Sequence, residues 1–119
     1  CKNLFLRAKK KEMWLVVCRE DLKIDLKELG QKLGGSRLSF GSSERLLNFL
    51  GVMPGSVSPF ALINDGNKAV RVVLDKDMME GPLLNFHPLT NEKTTSIKPS
   101  DLLKYITSCG HEFEVLDLN

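Results

Sequence analysis

The sequence predicts an α+β domain, a mixed, strongly curved, barrel-like β-sheet with several flanking helices. Three observations predict it. Short apolar runs of strand length outnumber the segments with helical periodicity. Those runs pair as hairpins broken by helical excursions, without the regular strand–helix alternation that builds a doubly wound sheet. The chain has 119 residues, 42% of them hydrophobic and 27% charged, which suits one globular domain over residues 1–119 with its own core.

Asn3 to Ala8 reads as a short strand, Lys9-Lys10-Lys11 as a basic turn, and Glu12 to Cys18 as a second strand completing a hairpin. Asp25 is a good N-cap for a helix, with Glu28 three residues on as in a capping box. Leu26, Leu29 and Leu33 form its apolar face and Gly34-Gly35 its stop. Leu38-Ser39-Phe40 is a short extended link. Ser42 or Ser43 caps a second helix with an apolar stripe of Leu46, Leu47 and Leu50, read as core, and Gly51 ends it.

Ala61-Leu62-Ile63 is expected to be a strand, with Asn64-Asp65-Gly66-Asn67 as a hairpin turn into the strand Ala69 to Leu74. Val70, Val72 and Leu74 share one face of that strand. Asp75 to Glu80 is a turn or a single helical turn. Leu83 to Phe86 is a strand that delivers His87, and Thr94 to Ile97 is a further β segment. Pro99 opens a last helix whose buried face is Leu102, Leu103 and Ile106. Gly110 closes it, and Phe113 to Leu116 makes the final strand.

The formal charge is +2, too mild to indicate nucleic acid by itself. Three cysteines without a CxxC pair argue against a zinc site or a disulfide framework, and fit a reducing, cytoplasmic setting. Cys18, within an apolar run, reads as core. No apolar run is long enough to span a membrane, and the N-terminus lacks the apolar stretch of a signal peptide. No metal and no cofactor is predicted.

Three places could carry chemistry. The first is Gly51 to Phe60, where two glycines and two prolines shape a loop between a helix and an apolar segment. Amides that no ladder uses can point at a ligand there, as in oxyanion holes and anion nests. The plainer reading is a helix stop and a tight turn. The second is Lys2-Asn3 at the head of a strand, where a lysine is ordinarily just exposed. The third is His87 in Asn85-Phe86-His87-Pro88, where a lone histidine is ordinarily structural. His111, after a helix stop, reads as a partner of the helix dipole.

Taken together, Cys1 to Arg7, Gly-x-x-x-Pro at Gly55 to Pro59 followed by Phe60, Asn85 to Pro88, and the Asp101-Leu102-Leu103 helix with Gly110-His111 resemble the YbaK/ProX family of aminoacyl-tRNA deacylases. The similarity is greatest to the ProX, or prolyl-tRNA synthetase-associated, branch, and it runs in register through nearly the whole chain. It implies a cytoplasmic trans-editing hydrolase that cleaves the ester between a wrong amino acid and the terminal adenosine of tRNA. The ProX branch removes alanine from tRNA for proline, and the YbaK type prefers cysteine. A non-catalytic tRNA- or nucleotide-binding module on the same fold is the alternative of a different class.

The resemblance further implies that Lys2 contacts the terminal nucleotide or its phosphate, with Asn3 beside it. It implies that Gly55, Ser56, Val57, Ser58, Pro59 and Phe60 form the substrate loop. His87, with Phe86 before it, shapes the aminoacyl pocket, and general base is its second possible role. Arg7, Lys9, Lys10 and Lys11 are the candidate tRNA phosphate contacts, and prolyl-tRNA synthetase is a candidate partner. Family members carry a further N-terminal segment before the strand that holds Lys2, so the sequence is expected to lack that segment.

Overall fold

The computed structural model describes residues 2–8, 12–19, 22–33, 35, 37–53, 57–66, 70–86 and 95–118. Strand β1 (Lys2–Arg7) pairs antiparallel with β2 (Met13–Cys18), which sets Lys2 opposite Cys18 and Arg7 opposite Met13. The short β3 (Ser39–Phe40) flanks β1 on its other side, also antiparallel. Beyond β2, β4 (Val70–Asp75) and then β7 (Phe113–Leu116) add in parallel, giving the order β3-β1-β2-β4-β7. A separate two-stranded ribbon joins β5 (Leu84–Phe86) to β6 (Thr95–Ile97). The mixed α+β class is as predicted. Among the described residues the five-stranded sheet is open, so its strand order shows no barrel closure.

The period-two alternation of β1, β2 and β4 explains both layers. Phe5, Met13, Leu15, Val17, Val70, Val72 and Leu74 face one side. There they pack on Leu46 and Leu50 of α2 (Ser43–Leu50) and on Leu102 and Ile106 of α4 (Pro99–Ser108). Leu6, Trp14, Val16, Cys18 and Val73 face the other side, against Leu29 of α1 (Leu26–Lys32). All six residues of β2 are buried, as expected of a central strand covered on both faces. Each fully buried leucine in these layers contributes roughly 1.5–3 kcal/mol.

Caps are where the sequence placed them. Asp25 accepts from the Lys27 amide at 2.9 Å, and Ser42 from the Arg45 amide at 3.2 Å. Gly51 ends α2 in the left-handed region, with φ 67°.

Three expectations are corrected. Ala61-Leu62-Ile63 is not a strand but lies within a 3-10 helix, Pro59–Asn64. Pro59 sits at its first position, and the Ala61 amide bonds to the Ser58 carbonyl at 3.1 Å, so helical turn chemistry overrides a short apolar run. Of the expected hairpin turn Asn64-Asp65-Gly66-Asn67, Asn67 lies outside the described residues, and Asn64 ends the 3-10 helix. Asp65 and Gly66 leave a helix, and β4 pairs in parallel with both its neighbours. Leu47 is 52% exposed, because Leu46 and Leu50 alone fill the buried stripe of α2. The one-turn helix α3 (Lys76–Met79) follows β4 directly.

Candidate functional site

The described part of the glycine-proline loop, Val57 to Phe60, is seated in the layer shared by α2 and α4. Ser58 and Pro59 are buried, and Val57 and Phe60 are half-buried against the core. Ser58 is fully covered, yet among the described residues its Oγ makes no hydrogen bond. A buried hydroxyl left this way costs about 1–3 kcal/mol.

Four tertiary hydrogen bonds fix the helix that the loop runs into. The Tyr105 hydroxyl donates to the Phe60 carbonyl at 2.7 Å, and the two rings meet edge to face at 5.3 Å. The Asn64 side-chain amide donates to the Leu50 carbonyl at 2.9 Å. Asp65 Oδ2 accepts from the Val70 amide at 2.8 Å and lies 3.0 Å from His111 Nε2. His111 is thus a buried tie between segments.

Lys2 and Asn3 point to opposite faces of β1. Asn3 shares its face with Phe5, in the layer that holds the loop, and its Oδ1 is buried without a hydrogen bond. Lys2 lies on the α1 face opposite Cys18, and its ammonium donates to the Leu22 carbonyl. The strand register also sets Asp75 at this end, since Val17 pairs with Leu74. Asp75 is fully buried and takes no hydrogen bond among the described residues, and Arg19 Nε lies 3.7 Å from its Oδ2.

Burial pushes the Cys18 thiol up. Lys2 opposes that shift, Asp75 adds to it and Arg19 opposes it. A thiol so held stays protonated and is a poor nucleophile despite its nearness to Lys2.

Gly55, Ser56, His87, Lys9, Lys10 and Lys11 lie outside the described residues. Phe86 is the last residue of β5, paired with Thr95. Arg7 is exposed at the end of β1 away from Lys2. The structure therefore brings Val57 to Phe60 together with Asn3 in one layer, and places Lys2 at the strand end on the other face.

Sequence reasoning missed Arg19, Asp75, Tyr105 and the Asp65–His111 tie. An aspartate closing the apolar run Val70 to Leu74 was a usable signal for Asp75. The others depend on contacts across 45 or 46 residues, or on strand register. A cavity of about 570 Å³, lined by Trp14, Val70, Arg71, Val72, Glu112 and Phe113 among others, opens at the opposite end of the strands from Lys2. It contains none of the predicted site residues. Arg71 stacks over the Trp14 ring there at 5.3 Å.

Among the described residues, an open mixed sheet with α1 on one face, and with α2, α4 and the 3-10 helix on the other, defines an α+β domain. The chain belongs to the aminoacyl-tRNA editing domain family, whose profile matches residues 1–105. Such domains are aminoacyl-tRNA deacylases, hydrolases that edit mischarged tRNA.

The chain is 42% identical to the prolyl-tRNA editing protein ProX of Acetoanaerobium sticklandii, over 98% of this chain and 72% of that protein. It is 37% identical to the prolyl-tRNA synthetase associated domain-containing protein 1 of Danio rerio, over 99% of this chain and 65% of that one. Thus it spans about two thirds to three quarters of the length of these relatives. A crystal structure described as a candidate trans-editing enzyme for prolyl-tRNA synthetase superposes with a TM-score of 0.77 at 23% identity. That match covers 99% of this chain and 68% of the other, and it confirms the fold.

Proposed function

We propose that this chain acts in trans to remove alanine from mischarged tRNA for proline. The observation that carries this reading is the 42% identity to a prolyl-tRNA editing protein across nearly the whole chain. The rigid seating of Val57 to Phe60 and the open hydrogen-bonding capacity of Ser58 and Asn3 support it. The proposed place of action is the cytoplasm. Prolyl-tRNA synthetase is the proposed partner that delivers the tRNA.

In the proposed reaction a water molecule attacks the ester carbonyl carbon, and negative charge develops on the carbonyl oxygen. Loop amides would stabilise that oxygen, each donor worth roughly 3–4 kcal/mol. The tetrahedral intermediate collapses with cleavage of the bond to the ribose oxygen, which takes up a proton. Free amino acid and uncharged tRNA leave. The ribose hydroxyl beside the ester helps position the water, so no protein nucleophile is needed, consistent with the protonated Cys18.

Lys2 holds the terminal nucleotide's phosphate, exchanging its bond to Leu22 for the stronger charged one. Gly55 permits close approach of the adenosine. Ser58 and Asn3 orient the substrate, and His87 shapes the aminoacyl pocket. A small pocket admits alanine and excludes proline by size.

The test is incubation of the chain with alanyl-, cysteinyl- and seryl-tRNA for proline. Release of alanine is the expected result. Preferential release of cysteine would reassign the substrate to the YbaK type, and survival of all three would make the chain a binding module.

A further inference from the structure

We infer that Tyr105 is a positioning residue for the editing loop, acting through the Phe60 carbonyl on the turn that follows Gly55 to Pro59. This rests on the reading of that loop as the ester-binding element. Phe60 is the second residue of the 3-10 helix, and only Ser58 and Pro59 separate it from Val57. A displacement at its carbonyl reaches Ser58 and Val57 through Pro59, whose fixed φ leaves little slack.

The Tyr105 hydroxyl meets that carbonyl at 2.7 Å, a short and well-formed bond. Its ring lies edge-on to Phe60 at 71°, so both the polar and the apolar parts of the side chain hold one residue. Tyr105 itself stands on α4, the longest helix described, whose Leu102 and Ile106 are fully buried. The loop is therefore referenced to the core rather than to another loop. Asn64 and Asp65 fasten the far end of the same short helix to α2 and to His111, which leaves Phe60 as the anchor nearest the substrate. Oxyanion donors must be fixed before the reaction to be effective, so a loosened anchor lowers turnover more than binding.

The experiment compares Tyr105→Phe with the unaltered chain in deacylation kinetics and in amide hydrogen exchange. Lys32→Ala, which removes a distant bond to the Asp117 carbonyl, serves as control. In Tyr105→Phe, kcat falls about tenfold with KM nearly unchanged, as expected for loss of one hydrogen bond felt in the transition state. Exchange of the Ala61 amide, bonded to Ser58, quickens about tenfold, while the Leu29 amide of α1 is unaffected. The Lys32 variant shows neither change.

An unchanged kcat, or an unchanged Ala61 exchange rate, overturns the assignment. So does a kcat loss fully explained by a lower folded fraction. If the unaltered chain releases no amino acid from any charged tRNA, the functional reading fails and the assignment fails with it. That outcome is distinct from an active chain whose Tyr105 variant is equally active.

Discussion

His111 Nε2 lies 3.0 Å from Asp65 Oδ2, and both side chains are buried. The pair joins the end of the 3-10 helix to the turn between α4 and β7. Asp65 also holds the first amide of β4 through the same oxygen. Removing one partner leaves the other buried without its bond, which costs far more than the bond itself contributes. Asp65→Ala is therefore expected to destabilise the fold by about 3–5 kcal/mol. His111→Ala should cost somewhat less, about 2–3 kcal/mol, because Asp65 keeps the Val70 amide. Urea unfolding monitored by Trp14 fluorescence measures both. A loss below about 1 kcal/mol in either variant would show that the pair is not a structural tie.

Gly51 gives a second stability prediction. It ends α2 with φ 67°, and a Cβ added there would meet the Asn64 side-chain nitrogen at 3.2 Å. That nitrogen is engaged with the Leu50 carbonyl, so it cannot retreat without giving up a hydrogen bond. Gly51→Ala combines left-handed strain of roughly 1–2 kcal/mol with loss of part of that bond. Unfolding should show about 2 kcal/mol of destabilisation. By contrast, Gly35, also at positive φ, has nothing within 4 Å of its added Cβ, so Gly35→Ala should show the backbone term alone.

Much of this fold was legible in the sequence because its signals are local. Asp25, Ser42 and Gly51 cap where their chemistry requires. The strands from Lys2 to Arg7, Met13 to Cys18 and Val70 to Asp75 carry plain apolar runs. Ala61 to Ile63 was misread because three apolar residues have no resolvable period, and the deciding features, Ser58 and Pro59, lie upstream. The parallel pairing of β4 with β2 was invisible for another reason. It depends on a crossover of some fifty residues between them, which no local pattern encodes. At the site, Lys2, Asn3 and the loop stood out by residue type. Tyr105 and Asp65–His111 did not, since each is ordinary until the fold brings its partner close.

Tyr105 also gives a pH prediction. Burial is the main cause, and its hydrogen bond to Cys109 adds to it, in pushing the phenol up to about 12 from the usual 10. The neutral phenol is favoured in the folded state, so its stabilisation is fully present below pH 10. It is lost as pH rises from about 10 to about 12. The chain contains one tyrosine, so phenolate absorbance reports this group alone. The native protein should titrate near 12, and the urea-unfolded chain near 10.

Lys2→Met separates the chemical and structural roles of the strand head. Among the described residues the Lys2 ammonium bonds a backbone carbonyl, that of Leu22, at a half-buried position. Losing one such partly exposed, charge-assisted bond costs about 1.5 kcal/mol, and methionine retains most of the aliphatic stem. The melting temperature should therefore move by only a few degrees. If the ammonium engages a phosphate of the acceptor end, its loss removes a charge-assisted bond worth about 1.5–3 kcal/mol, which lowers kcat/KM by roughly 10- to 100-fold. The same contact must appear in the salt dependence. Plotted as log affinity against log salt, binding of tRNA by the variant should show a slope shallower by about one. A variant that loses activity with an unaltered salt slope would place Lys2 in the architecture of the site, next to Cys18 and Asp75, and not on the phosphate.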